Sequence, residues 1–104
     1  TLTNLITSCL FERDFEAAHN YLKLCRKQEK TMENYQFHLE VRYLKNLLSY
    51  IETGELEYMY KVHNYIEVLE DIGYASRAAN VREEVRVITH DSNEGDVRIL
   101  GKLQ

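Results

Sequence analysis

A chain of 104 residues has room for one domain with a modest core. With no proline and only 4 glycines, it lacks the punctuation of a turn-rich β fold, so the composition points to an all-α domain. The net charge is −4, its 13 Lys+Arg scattered among 17 Asp+Glu, which excludes the basic stripe of a domain that binds nucleic acid by itself.

Apolar spacing predicts five helices. Leu2, Leu5, Ile6 and Cys9 recur on one face and predict a first helix over 2–11. Arg13-Asp14 reads as a tight turn, with Asp14 capping a second helix over 15–27 and Glu16 near its positive end. Phe15, Ala18, Leu22 and Cys25 form its stripe. The period fails across the polar link 28–33, where Thr31 is the expected cap of a third helix reaching Glu52. That helix is apolar on several faces (Phe37, Leu39, Val41, Tyr43, Leu44, Leu47, Leu48, Tyr50, Ile51), which marks it as the centre of the domain. Gly54 is expected to close it, because glycine accepts the left-handed conformation that ends helices. A fourth helix over 56–72 carries Met59, Val62, Ile66 and Leu69, and Gly73 closes it in the same way. Ala78, Val81, Val85 and Ile88 face inward on a fifth helix over 74–89.

The short hinge at Thr53-Gly54-Glu55 makes the third and fourth helices antiparallel neighbours, and the first two repeat their spacing. The expected architecture is therefore all-α: stacked antiparallel helical hairpins of the right-handed tetratricopeptide (TPR)-like kind, spanning 1–89, with a tail or arm over 90–104. Within the tail, 90–95 reads as a turn or loop, and Val97, Ile99 and Leu103 alternate loosely. Three readings of it stay open: disorder, a short arm that pairs with another chain, or a lead into further sequence. The start at Thr1, inside a helical pattern, is that expected of a segment of a longer chain.

Enzyme chemistry finds no support. There is no Gly-rich phosphate loop and no nucleophile–base arrangement. His19, His38, His63 and His90 do not fall at metal-ligand spacing, so neither a metal nor a cofactor is expected. The pairs Glu70-Asp71 and Glu83-Glu84 diverge around their helices and read as solvated faces. Cys9 and Cys25 occupy apolar positions and read as small buried hydrophobes. No apolar run approaches the ~20 residues of a membrane-spanning helix, and no signal-peptide pattern is present, so a soluble cytoplasmic protein is expected.

The polar positions of the first helix of each hairpin are the candidate binding residues. Stacked hairpins line their concave side with those helices. The third helix offers Arg42, Asn46 and Tyr50 on a face the core stripe does not use, and the first helix offers Asn4 and Ser8. An asparagine amide both donates to and accepts from a peptide main chain. The eight tyrosines fit either helix packing with the hydroxyl at the rim or a groove whose rings hold a peptide.

Asp14-Phe15-Glu16-Ala17-Ala18, with Leu22 following, resembles the second helix of a TPR-like repeat. The stretch from Phe37 to Ile51 with Gly54, then Tyr65-Ile66-Glu67-Val68-Leu69-Glu70-Asp71-Ile72-Gly73, resembles the last repeats of Gram-positive peptide-pheromone receptor regulators of the Rgg/MutR and PrgX-like type. Ala75, Ala78 and Ala79 match the small residues early in their following helix. The resemblance implies a cytoplasmic transcription regulator whose C-terminal domain senses a short signalling peptide and forms a homodimer through its C-terminal helices. DNA would be bound only through an N-terminal helix-turn-helix absent from this sequence. The family has no invariant side-chain motif for the peptide, so it assigns no residue here. The alternative is a TPR-like protein–protein interaction scaffold with no role in transcription.

Overall fold

The computed structural model describes residues 1–92, which form five α-helices and, among the described residues, no strand. They are α1 (Leu2–Phe11), α2 (Phe15–Glu29), α3 (Tyr35–Thr53), α4 (Leu56–Asp71) and α5 (Ala75–Ser92).

Local chemistry sets most of the boundaries. The Asp14 carboxylate accepts from the Ala17 amide at 3.2 Å and caps α2, as expected. Gly54 closes α3 at φ 72, its amide donating to the Tyr50 carbonyl at 2.7 Å. Gly73 follows α4 at φ 90, and the Tyr74 amide reaches back to the Leu69 carbonyl at 2.8 Å, a Schellman closure. The α1–α2 turn uses the same device without glycine: Arg13 sits at φ 62 and the Asp14 amide donates to the Cys9 carbonyl at 2.9 Å. A left-handed non-glycine residue costs about 1–2 kcal/mol. Contacts to the Arg13 side chain offset that cost, since its guanidinium donates to the Ile88 carbonyl at 2.7 Å and stacks over the Phe15 ring.

Three expected boundaries are corrected. Asn34, not Thr31, caps α3, accepting from the Phe37 amide at 3.1 Å. The Thr31 hydroxyl instead donates to the Gln28 carbonyl, so it completes the end of α2, which runs to Glu29. The turn expected from His90 is absent over its first residues, because α5 continues to Ser92. The rest of that turn, and Val97, Ile99 and Leu103, lie outside the described residues.

α3 touches each of the other four helices, as its several apolar faces require. Val41, Tyr43, Leu44, Leu47 and Leu48 are all buried, and α4 meets them with Val62, Tyr65, Ile66 and Leu69. From α5, Ala78, Val81, Val85 and Ile88 close the core. Of the expected α1 stripe, Ile6 and Cys9 are buried and Leu2 packs partly against the core, but Leu5 does not. Leu5 is 45% exposed, whereas Thr3, Ile6 and Leu10 are buried. α1 packs on α2, α3 and α5, and that three-sided contact brings Thr3 and Leu10 into the interior with Ile6 and Cys9 and leaves Leu5 outside it. Both cysteines are free and buried. Burial, then Asp14 and Glu12, raises the Cys9 thiol pKa, and burial, then Glu29 and Glu40, raises that of Cys25, so both stay protonated and unreactive near neutral pH.

One clasp ties the interhairpin link to α3. His38 Nδ1 lies 2.7 Å from the Glu29 carboxylate and its Nε2 lies 3.0 Å from the Met32 carbonyl. Both partners are acceptors, so the ring needs a proton on each nitrogen to satisfy them. The Glu29 contact, then the Met32 carbonyl, raises the His38 pKa above its ordinary 6.5, with desolvation and then Arg42 opposing. A raised folded-state pKa stabilises fully below the unfolded value and is lost as pH rises through the folded one. The melting temperature is therefore expected to fall as the pH rises above the ordinary histidine value of about 6.5, with a smaller fall in His38→Gln. Equal slopes in the two proteins would remove the clasp as a source of pH dependence.

Candidate functional site

The α3–α4 hairpin opens a pocket of about 210 Å³ on its outer groove. Leu39, Arg42, Tyr43 and Asn46 line it from α3, and Lys61, Asn64, Tyr65 and Val68 from α4. Each set follows helical spacing, and the antiparallel pairing set by the Gly54 hinge brings the two faces together. The floor is aromatic: the Tyr43 and Tyr65 rings stack at 4.8 Å with an interplanar angle of 13°.

Two cations and two amides line this pocket, with no carboxylate among its walls. Arg13 bonds the Ile88 carbonyl, Arg77 pairs with Glu40 and Glu84, Arg82 pairs with Glu70, and Arg86 with Glu83. Arg42 makes no ion pair or hydrogen bond among the described residues, nor do the side chains of Asn46 and Asn64. Lys61 is held loosely, 3.5 Å from Glu57 and over the Tyr58 ring at 5.7 Å. Such a lining offers positive charge beside amide donors and acceptors. An Arg–carboxylate pair supplies charge-assisted bonds of fixed geometry, and each Asn supplies both a donor and an acceptor.

Behind the tyrosine floor lies a polar knot. The Tyr43 hydroxyl donates to Glu84 at 3.2 Å, and Arg77 lies 3.5 Å from Glu84 and 3.8 Å from Glu40. Burial, then the Glu84 carboxylate, pushes the Tyr43 phenol far above its ordinary value, so it is a proton donor at any neutral pH. Burial opposes the charge on Arg77, but Glu84 and Tyr65, then Glu40, outweigh it and hold the guanidinium protonated. The knot links α3 and α5 beneath the pocket.

Of the residues chosen from sequence, Arg42 and Asn46 come together in the pocket. Tyr50 does not join them, because it is 9% exposed and forms part of the buried interior. Asn4 and Ser8 are exposed on α1, which contributes no wall to the pocket. The expected row of first helices is also not where Arg42 and Asn46 point. They face α4 within their own hairpin, while α5 packs against α1. Lys61 and Asn64 were missed. Their signal was the i, i+3 spacing that continues to Val68, opposite Leu39-Arg42-Asn46 in an antiparallel pair.

Among the described residues no group of His, Cys, Asp and Glu is placed to hold a metal, and no helix is long and apolar enough to cross a membrane. Comparisons with protein-family models, curated proteins and solved structures give no match.

Proposed function

We propose that this chain is the peptide-sensing and dimerisation domain of a cytoplasmic transcription regulator controlled by a short signalling peptide, with the α3–α4 pocket as the peptide's seat. The observation that carries the peptide reading is the unpaired Arg42, set beside Asn46, Asn64 and Lys61 over an aromatic floor. The regulator context rests on the resemblance of α3 to α5 to the pheromone-receptor repeats, with α2 resembling a TPR-like helix. Binding acts by differential affinity for two arrangements of the helices, which reposition DNA-binding domains elsewhere in the intact protein.

In the intact regulator, a fluorescent pool of short apolar peptides with free carboxylates is expected to bind. Arg42→Ala and Asn46→Ala should each weaken binding by about 1–3 kcal/mol, the cost of stranding a polar partner. Fluorescence anisotropy measures this, with helicity by circular dichroism as the control. Unaltered affinity in both variants moves the site off this hairpin.

Dimerisation has its own motive in apolar surface. On α4, Leu56 is 60% exposed and Tyr60 69%, and Val87 of α5 is 38% exposed. These exposed apolar side chains are the surface that the proposed dimer would bury. Sedimentation of the intact protein at micromolar concentration is expected to give a dimer that Tyr60→Lys weakens. A monomer at high concentration rejects the interface.

A further inference from the structure

A second cavity adjoins the first. It has a volume of about 220 Å³ and lies where the start of α3, the end of α4 and the start of α5 meet. Its walls include Leu39, Tyr65, Leu69 and Ile72, with Gln36 and Tyr74 at one side. Leu39 and Tyr65 also line the Arg42 pocket, so the two cavities share a wall. The Gln36 amide donates to the Tyr74 hydroxyl at 2.7 Å, which fixes the start of α5 against α3. Arg77, also in the lining, is already committed to Glu40 and Glu84. The cavity's own charges are thus satisfied, and what it offers a ligand is apolar wall.

We infer that this cavity is a specificity subsite for one apolar side chain of a peptide whose terminal carboxylate sits on Arg42. The inference rests on the peptide-binding reading and adds the polarity and sequence preference of the ligand. Size supports a single side chain: the volume falls below the roughly 300–1,000 Å³ of pockets that enclose a whole small ligand. Charge sets the direction. The carboxylate belongs at the Arg42–Lys61 end, where no acid lines the wall, and not beside Glu40. The shared Leu39–Tyr65 wall keeps the two groups close, so the apolar residue stands within the last few positions of the peptide. Because Tyr74 and Arg77 of the second cavity belong to the α5 end, the side chain that fills it also touches the helix whose position the Arg77 knot controls.

The test is selection on the intact protein from a random hexapeptide library displayed with free C termini. Enriched sequences should share an apolar residue at one fixed distance from the C terminus, and blocking the C terminus should reduce capture tenfold or more. Ile72 is half exposed and outside the core, so Ile72→Ser removes wall without removing packing. That variant should lose the apolar preference and keep the need for a free C terminus. Enrichment without a fixed apolar position, or a preference that survives Ile72→Ser, overturns the subsite and leaves the peptide reading intact. Capture that is unchanged by Arg42→Ala, or no capture at all, overturns the peptide reading and the subsite with it.

Discussion

Leu48→Ala is expected to destabilise the domain by about 2–5 kcal/mol, the range for a large aliphatic side chain cut to a methyl in a packed core. Leu48 is 2% exposed, on the one helix that touches all the others. It belongs to the core cluster to which all five helices contribute, and a packed core relaxes only partly around a void. The upper half of the range is therefore expected. A loss of this size is a large share of the 5–15 kcal/mol that holds a typical domain folded. Urea denaturation should show an earlier midpoint with an unchanged slope. A midpoint equal to that of the parent would mean that Leu48 packs against nothing.

Tyr43→Ala is expected to cost as much or more, about 3–5 kcal/mol, by analogy with other buried aromatics. The ring is 1% exposed and stacked on Tyr65 at 4.8 Å. Its loss opens a cavity between α3 and α4 and removes the floor of the Arg42 pocket. Tyr43→Phe separates the ring from its hydroxyl. The ring stays, and Glu84 keeps Arg77, so the cost should be only about 1 kcal/mol, that of one hydrogen bond. Thermal unfolding of the two variants gives the difference. Equal losses would mean that the hydroxyl's bond to Glu84 on α5, and not the stacked ring, carries the stabilisation that Tyr43 gives. Peptide binding should fall with Tyr43→Ala and survive Tyr43→Phe, since the hydroxyl points toward Glu84 and α5.

The elements were legible wherever the cause is local. The Asp14 cap and the closures at Gly54 and Gly73 depend on residues within one turn of each other. The long stripes of α3, α4 and α5 contain enough turns to fix their phase. Errors fell where two local choices compete at nearly equal cost. Thr31 and Asn34 are both good caps; Asn34 caps α3, while the Thr31 hydroxyl donates to the Gln28 carbonyl at the end of α2. The left-handed Arg13 had no glycine to announce it, and its long-range bond to the Ile88 carbonyl is invisible in the chain order.

Sequence by itself determined that this is a helical protein of two hairpins and a further helix, with α3 at its centre. Helical period, caps and glycine stops are properties of neighbours in the chain, and they decide secondary structure without reference to the rest. Only the tertiary structure decided which polar residues meet. The rotation of α1 about its axis was set by α2, α3 and α5 together, which exposed Leu5 and buried Leu10. Tyr50 went to the interior for the same reason, although it shares a helical face with Arg42 and Asn46. Lys61 and Asn64 reached Arg42 because packing turned that face of α4 toward α3. How a helix is rotated against its neighbours is fixed by the burial of every apolar surface at once, and a single chain segment does not contain that information.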